Sequence, residues 1–449
     1  MKKIFLVVPV LLLLCTFGAS AQSFRSGYFL DDYVYGYRIN PAHLNQKSFL
    51  GVAIGNIDLQ NNGNIGAASF LFPNGNSIVT GLNKAVSADQ FLGALKEQNT
   101  LSFDESLNIF SLGIAKEHSM FTVELNARAL AGLSLPYDLF ALAKKGGTGV
   151  TYDIGGLAAG LSAFGDLAVG YTQALGDMIS IGGRVHILLG MADLYAASNP
   201  SPINLGESSI SVKPSVGLDV SGLPTITPGA GNSLDFNALK IGFDGSPVGG
   251  FGAALDLGVE FKPFPGFEAM VAVNDLGFIS WNNSFSGAVK GDFTFSGGKI
   301  ALEGGEIKTD LDGLVDKLKN SFKLETSQAG KRTSGMPFNI AAGAKYKMPF
   351  YDKLSAGVLA TYHNSAYTPW FDARLGVTVT PVSLIGISAN IGTGTFGPTF
   401  GAALDAHLGP VNILFGLDSF MGKAGKYSGV PIPLNAFMAN IHAGIAFTF

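Results

Sequence analysis

The stretch Phe437–Phe449 constrains the fold most. Every second residue gives one side made of Phe437, Ala439, Ile441, Ala443, Ile445, Phe447 and Phe449. The other side is Met438, Asn440, His442, Gly444, Ala446 and Thr448. Side chains alternate across a β-strand, so the stretch carries one apolar face and one small or polar face. Such an apolar face needs a cover. A strand of a soluble sandwich finds it in a protein core, and a strand of a transmembrane barrel finds it in lipid.

The start of the chain favours lipid. Met1-Lys2-Lys3 precedes an apolar run from Ile4 to Leu14, then small residues ending Ala19-Ser20-Ala21. This is the order of an export signal with an A-x-A cleavage site, and it predicts a mature chain from Gln22. The run falls short of the ~20 apolar residues that span a bilayer. Cys15, the single cysteine, lies within it. Leu14 before Cys15 is large where a lipoprotein signal has a small residue, so cleavage rather than acylation is expected. The mature chain would then have no disulfide and no cysteine-based metal or redox chemistry.

Charged residues make up 14% of the chain, against about 25% in ordinary globular proteins. Glycine reaches 60 of 449 residues. No later apolar run is long and clean enough for a spanning helix; Ile154–Leu175 comes nearest and carries Asp166, Gln173 and several glycines. An exported, charge-poor, glycine-rich chain of this kind fits an all-β, antiparallel transmembrane β-barrel, whose apolar content is hidden in alternation. The formal charge of −4, which becomes −6 without Lys2 and Lys3, argues against nucleic acid as a partner.

Alternation places about 14 strands between Ser48 and Phe449, leaving residues 1–21 as the signal, 22–47 as an N-terminal periplasmic or plug-like segment and 48–449 as the barrel. Six tight connections, such as Lys116-Glu117-His118 and Leu408-Gly409-Pro410, alternate with longer ones, among them 59–106, 130–163, 191–249, 278–336 and 392–398. Short periplasmic turns and long outer loops are the barrel arrangement. Helical signals sit in three of the long stretches: the capping box Ser87-Ala88-Asp89-Gln90, Leu135–Phe140 with Pro136 near the first position, and Asp310–Asn320.

Polar side chains on the predicted strands fall opposite Leu, Ile, Val and Phe. Glu124, Arg184, His186, Asp256, Glu260, Arg374, Asp405 and His442 are therefore expected to line the lumen, because Arg or Lys facing mid-bilayer lipid costs about 2–4 kcal/mol. They would brace the lumen as a mutually compensating network or select solutes as a charged constriction. Aromatics near strand ends, including Trp370, Tyr362, Phe261, Phe447 and Phe449, suit interfacial girdles.

Three segments together resemble an uncharacterised family of Bacteroidota outer-membrane barrels related to the long-chain fatty-acid transporter (FadL/PorV-like) superfamily. They are Tyr37-Arg38-Ile39-Asn40-Pro41-Ala42, Leu135–Phe140 and Asp275-Leu276-Gly277-Phe278-Ile279-Ser280-Trp281. The resemblance implies an outer-membrane location, a hatch-like role for Asn40, Pro41 and Ala42, and a C-terminal signal in Phe447 and Phe449 read by the barrel-assembly machinery. It also implies passage of small hydrophobic molecules. The alternative is a surface scaffold that docks exported proteins, as in type IX secretion.

Catalytic signals are weak, and the expectation is a protein without enzymatic activity, cofactor or metal. Gly392-Thr-Gly-Thr-Phe-Gly397 matches G-x-G-x-x-G, but Pro398 and another strand follow it where a dinucleotide site needs a helix. It reads as an outer hairpin. Thr309–Gly313 lacks the remaining ligands of a calcium loop. His43, His118, His186, His363, His407 and His442 have no metal-motif spacing, though His407 and His442 could approach Asp405 across strands. A site assembled at the barrel rim, of the phospholipase or protease kind, stays open.

Overall fold

The computed structural model describes residues 24–449 except 76, 208, 228–239, 297–300, 304–305, 309–322, 328–329, 366, 421–423, 428–429 and 434–435. The export signal, Cys15, the calcium-like Thr309–Gly313 and the helix expected over Asp310–Asn320 lie wholly or almost wholly outside these residues.

Fourteen antiparallel strands close into a barrel. They are β1 (Phe49–Gly63), β2 (Gln98–Lys116), β3 (Ser119–Pro136), β4 (Ala158–Leu175), β5 (Ile179–Ser198), β6 (Gly250–Phe261) and β7 (Phe267–Lys290). The second half comprises β8 (Phe338–Lys347), β9 (Leu354–Asn364), β10 (Trp370–Val382), β11 (Ile385–Gly394), β12 (Gly397–Leu408), β13 (Val411–Phe420) and β14 (Phe437–Thr448). Each strand pairs with the next, and β14 returns to β1, with Phe49 opposite Thr448 and Gly63 opposite Phe437. Closure leaves no edge strand, so the wall pairs its backbone from strand to strand without water, interrupted at register shifts such as the one between Val52 and Asn56.

The alternation read from the sequence is the alternation of the wall. On β14, Met438, Asn440 and His442 are buried while Ile441, Ile445 and Phe447 are exposed outward. On β4 and β5 the outward set is Leu167, Val169, Tyr171, Val185 and Ile187, and the inward set includes Asp166, Arg184 and His186. Leucine, isoleucine and valine on the outside with charges inside invert a soluble protein and suit hydrocarbon.

The structure corrects several boundaries at the loop end. Residues 191–249 are not one loop. β5 runs on to Ser198, and Ser215–Gly222 returns as wall, filling the gap between the upper halves of β5 and β7 above β6. The chain leaves the wall after Gly222 and re-enters at Gly250. The break is closed by backbone bonds from Leu223 N to Met191 O (2.9 Å), Gly249 N to Gly190 O (2.7 Å) and Asn282 N to Gly249 O (2.7 Å). β2 begins at Gln98, and β3 and β7 extend to Pro136 and Lys290. These extensions rise beyond the 9–11 residues a tilted strand needs to cross a bilayer, where lipid no longer enforces an apolar face. The loop expected at 392–398 is a two-residue hairpin in which Gly394 pairs with Gly397, so short and long connections do not alternate throughout.

Outside the barrel, Ser87 Oγ accepts from Gln90 N (3.1 Å) and Gln90 Oε1 accepts from Ser87 N (3.0 Å), capping the short helix Ala88–Leu92. Helix Tyr137–Lys145 follows β3, with Pro136 at its N-cap rather than inside its first turn. Ile65, Val86, Phe91, Leu92, Ala141 and Tyr152 bury one another above the β2–β3 rim.

Candidate functional site

Residues 24–44 are buried almost throughout, and their partners stand nearly all around the ring. Phe29 O accepts from Thr378 on β10 (2.5 Å), Leu30 O from Lys345 on β8 (3.1 Å) and Pro41 O from Thr172 on β4 (2.6 Å). Ile39 O accepts from Asn274 on β7 (2.9 Å), and the Arg25 backbone N–H donates to Asp418 on β13 (2.8 Å). Among the expected hatch residues, Asn40 Oδ1 accepts from Ala42 N (3.1 Å), a self-bonded turn typical of Asn. Gly182 and Gly258 face this turn so closely that a β-carbon on either would collide with Asn40–Ala42. Glycine there lets the wall and the turn meet backbone to backbone.

All eight residues expected to line the lumen are buried, and four of them meet. Glu124 receives the Arg184 guanidinium in a short ion pair, and Arg184 Nη1 also donates to Asp256 (3.1 Å). His186 places Nε2 3.0 Å from Asp256 and Nδ1 2.8 Å from Asp166. The other four lie apart. Glu260 pairs with Lys262 and lies 3.6 Å from His43. Arg374 joins Asp372 and Asp418 (both 2.7 Å). Asp405 accepts from Asn412 (2.7 Å) and lies 3.1 Å from His407. His442 stacks on Phe24 with ring centroids 4.5 Å apart.

Sequence reasoning missed the residues that join this network to the N-terminal segment. Arg38 donates to Glu124 Oε1 through Nε (2.8 Å) and Nη2 (2.5 Å), and Tyr37 OH donates to the same oxygen (2.7 Å). Arg128 holds Asp275 with both Nη groups (2.8 and 3.3 Å) and approaches Asp166 (3.5 Å). Alternation carried the signal for Arg128, which shares a face with Glu124. It carried none for Asp275, which sits in a bulge where β7 slips register against β6. Asp275 has φ of 63°, the one non-glycine at positive φ among the described residues. Its N–H donates to Asp256 Oδ1 (2.6 Å).

Ligand atoms of His186, Asp256 and Asp275 lie within 4.8 Å of one another, close enough for a cation. Both imidazole nitrogens already face carboxylates, however, and Arg128 and Arg184 supply the positive charge. The cluster reads as an ion-pair network.

One storey above it the lumen turns apolar. Two residues along the same inward faces, Asp166 gives way to Phe164, His186 to Leu188 and Asp256 to Ala254. These three pack with Ile279, Trp281 and Met336, all buried. Arg128 lies under the Phe164 ring at 5.3 Å.

The opposite wall holds a second arginine with different surroundings. Asp418 is fully engaged: Oδ1 takes Arg374 and Ser26, and Oδ2 takes the Arg25 backbone N–H. The Arg25 side chain is buried, yet its Nε reaches only 3.5 Å from Asp418, and Nη1 and Nη2 have no hydrogen-bond partner among the described residues. Its guanidinium lies 4.6 Å over the Trp370 ring. Burial, and after it the neighbouring Arg374, lower the Arg25 pKa despite Asp418. For Arg38, burial acts the same way, but Glu124, Tyr37 and Tyr35 outweigh it and raise the pKa. Trp370 itself is not in a lipid girdle. It faces inward with Asp372 and Arg374 and stacks on His363.

Residues 41–418 match the model of a family described as a family of unknown function, DUF5723. The chain belongs to this family. No curated protein matches the DUF5723 chain in sequence. Among solved structures, it is similar to the toluene transporter TodX of Pseudomonas putida, at 7% identity and a TM-score of 0.41 over 96% of this chain and 95% of the other. A FadL homologue of Pseudomonas aeruginosa matches at 12% identity and a TM-score of 0.40, over 96% and 98%. The translocator domain of the autotransporter NalP from Neisseria meningitidis matches at 11% identity and 0.31, over 91% of each chain.

Proposed function

We propose that the protein is an outer-membrane conduit for small hydrophobic molecules, gated by its own residues 24–44. The observation that carries this reading is the apolar storey inside the lumen. Phe164, Leu188, Ile279 and Trp281 face inward and offer a hydrophobic molecule an apolar lining for which a polar solute has no use. Below that storey the Arg38–Glu124 bonds fix the N-terminal segment across the interior, so passage requires the segment to shift. Phe447 and Phe449 lie exposed on the outside near the end of the closing strand, accessible to an assembly factor. The docking alternative would rest on the outer loops. Among the described residues many of their large apolar side chains are turned inward against one another, while Leu71, Ile78, Val150 and Phe243 are exposed.

The test uses the pair Pro41→Cys and Thr172→Cys, whose parent residues are hydrogen-bonded. Uptake of naphthalene is measured in cells with a lipopolysaccharide-faced outer membrane, with and without the protein. Uptake should depend on the protein, fall severalfold when the disulfide forms and recover on reduction. Protein-independent uptake would overturn the conduit, and uptake indifferent to the disulfide would overturn the gate.

A further inference from the structure

Above the apolar storey the lumen is crossed a second time. The loop of residues 365–369 joins β9 to β10, and its Tyr367 does not stay on its own side. The Tyr367 ring lies against Gly132 on β3 and its hydroxyl against Gly160 on β4; a β-carbon on either glycine would overlap it. β3 and β10 stand seven strands apart in a ring of fourteen, so the side chain reaches across the mouth. Gly132 pairs with Gly160, and Gly160 pairs in turn with Tyr195 on β5, which makes a shallow seat with an aromatic rim. The seat lies four residues from Phe164 along β4, about 13 Å towards the loop end. Close approach accounts for both glycines. Neither has positive φ, so the backbone does not ask for glycine there, and glycine inside a strand marks a point where another group comes near. The hold is by contact alone. The Tyr367 N–H donates to Ser365 Oγ within its own loop (3.4 Å), and among the described residues no hydrogen bond ties the loop to β3 or β4. The closure below differs, because there Arg38 and Tyr37 hold the Glu124 carboxylate with charge-assisted bonds.

We infer that Tyr367 is the outer gate of the conduit. Its ring, seated on the Gly132–Gly160 pair, shuts the apolar storey from the outside, and lifting it opens the storey to the mouth. A seat held by contact is released at less cost than bonds to a buried carboxylate. The outer gate therefore opens before the segment at residues 24–44 shifts, and a solute occupies the apolar storey while the lower closure still holds. The inference deepens the conduit reading and rests on it for what the gate passes. Its test follows closure alone and needs no solute to cross, so the two readings fail separately.

Leu130 is the next inward residue below Gly132 on β3, and it lies only partly buried beside the apolar storey. In a Cys15→Ser background, Leu130→Cys gives the full chain a single thiol at that place. Its alkylation by N-ethylmaleimide is followed in non-ionic detergent. The lower closure is the same in every variant compared, so a change in rate reports the outer end. Tyr367→Ala should speed alkylation severalfold, and so should Gly132→Ala, whose β-carbon displaces the ring. The two together should be no faster than the faster one alone, because both remove the same contact. Tyr367→Phe should keep the parent rate, since the hydroxyl makes no bond to the wall. An unchanged rate in Tyr367→Ala would overturn the gate, as would additive effects of the two alanines or a Tyr367→Phe variant as fast as Tyr367→Ala. Tyr367 sits on a loop, so its two variants decide the matter if Gly132→Ala does not fold.

Discussion

Arg25 and Arg38 come from the same short segment and are buried to nearly the same degree, at 1% and 6% exposure. They do different things. Arg38 spends its donors on Glu124, which is also held by Tyr37 and Arg184, so three elements share one carboxylate. Arg25 arrives beside an aspartate that others have already saturated. Burial of a cation therefore says little about anchoring; the occupancy of the nearest acceptor decides. A buried, hydrogen-bonded pair resists removal of either member, whereas a buried donor left unpaired carries a desolvation cost of about 1–3 kcal/mol, more when charged.

Substitutions can break this contrast. Glu124→Ala should have the largest effect, about 3–5 kcal/mol, since it strands Arg38 and Arg184 together; urea unfolding in detergent gives the number. Asp275→Ala should cost about 2–4 kcal/mol by freeing Arg128 and placing alanine at φ of 63°. Asp275→Asn should cost about 1 kcal/mol less than that, because Asn tolerates the left-handed region. If both variants unfold alike, backbone strain plays no part. Arg38→Met should cost about 1.5–3 kcal/mol, as Glu124 keeps two other donors. The same change at Arg25 should cost under about 1 kcal/mol, because Asp418 keeps Arg374, Ser26 and the backbone amide. Equal losses for Arg25→Met and Arg38→Met would erase the distinction.

The barrel was legible in the sequence because lipid imposes a period of two on every strand that crosses it. Starts such as Gly250, Phe267, Leu354 and Trp370 were read correctly on that basis. The loop-end extensions of β2, β3, β5 and β7 were not, since no lipid sorts their faces. The lumen charges were legible as a set, but the groupings were not. Period two assigns a face, and only register tells which strand brings Asp256 beside Arg184. Trp370 was misassigned although the sequence held the answer: it shares parity with Asp372 and Arg374, and parity outranks position near a strand end. Arg25 and Arg38 lie in a stretch with no period, where nothing marks a partner 393 or 86 residues away.

That separation has a consequence for assembly. The bond between the Arg25 amide and Asp418 spans 393 residues, and the β1–β14 seam joins the first and last strands of the wall. Contacts at such range gain nothing until nearly all of the chain is in place, and loop-closure entropy opposes them until then. The segment at residues 24–44 precedes β1, yet it ends up enclosed by a ring that its own successor strands complete. The contacts that hold its first residues therefore form only once the last strands are in place. The last event in folding is thus the one that fixes the first part of the chain.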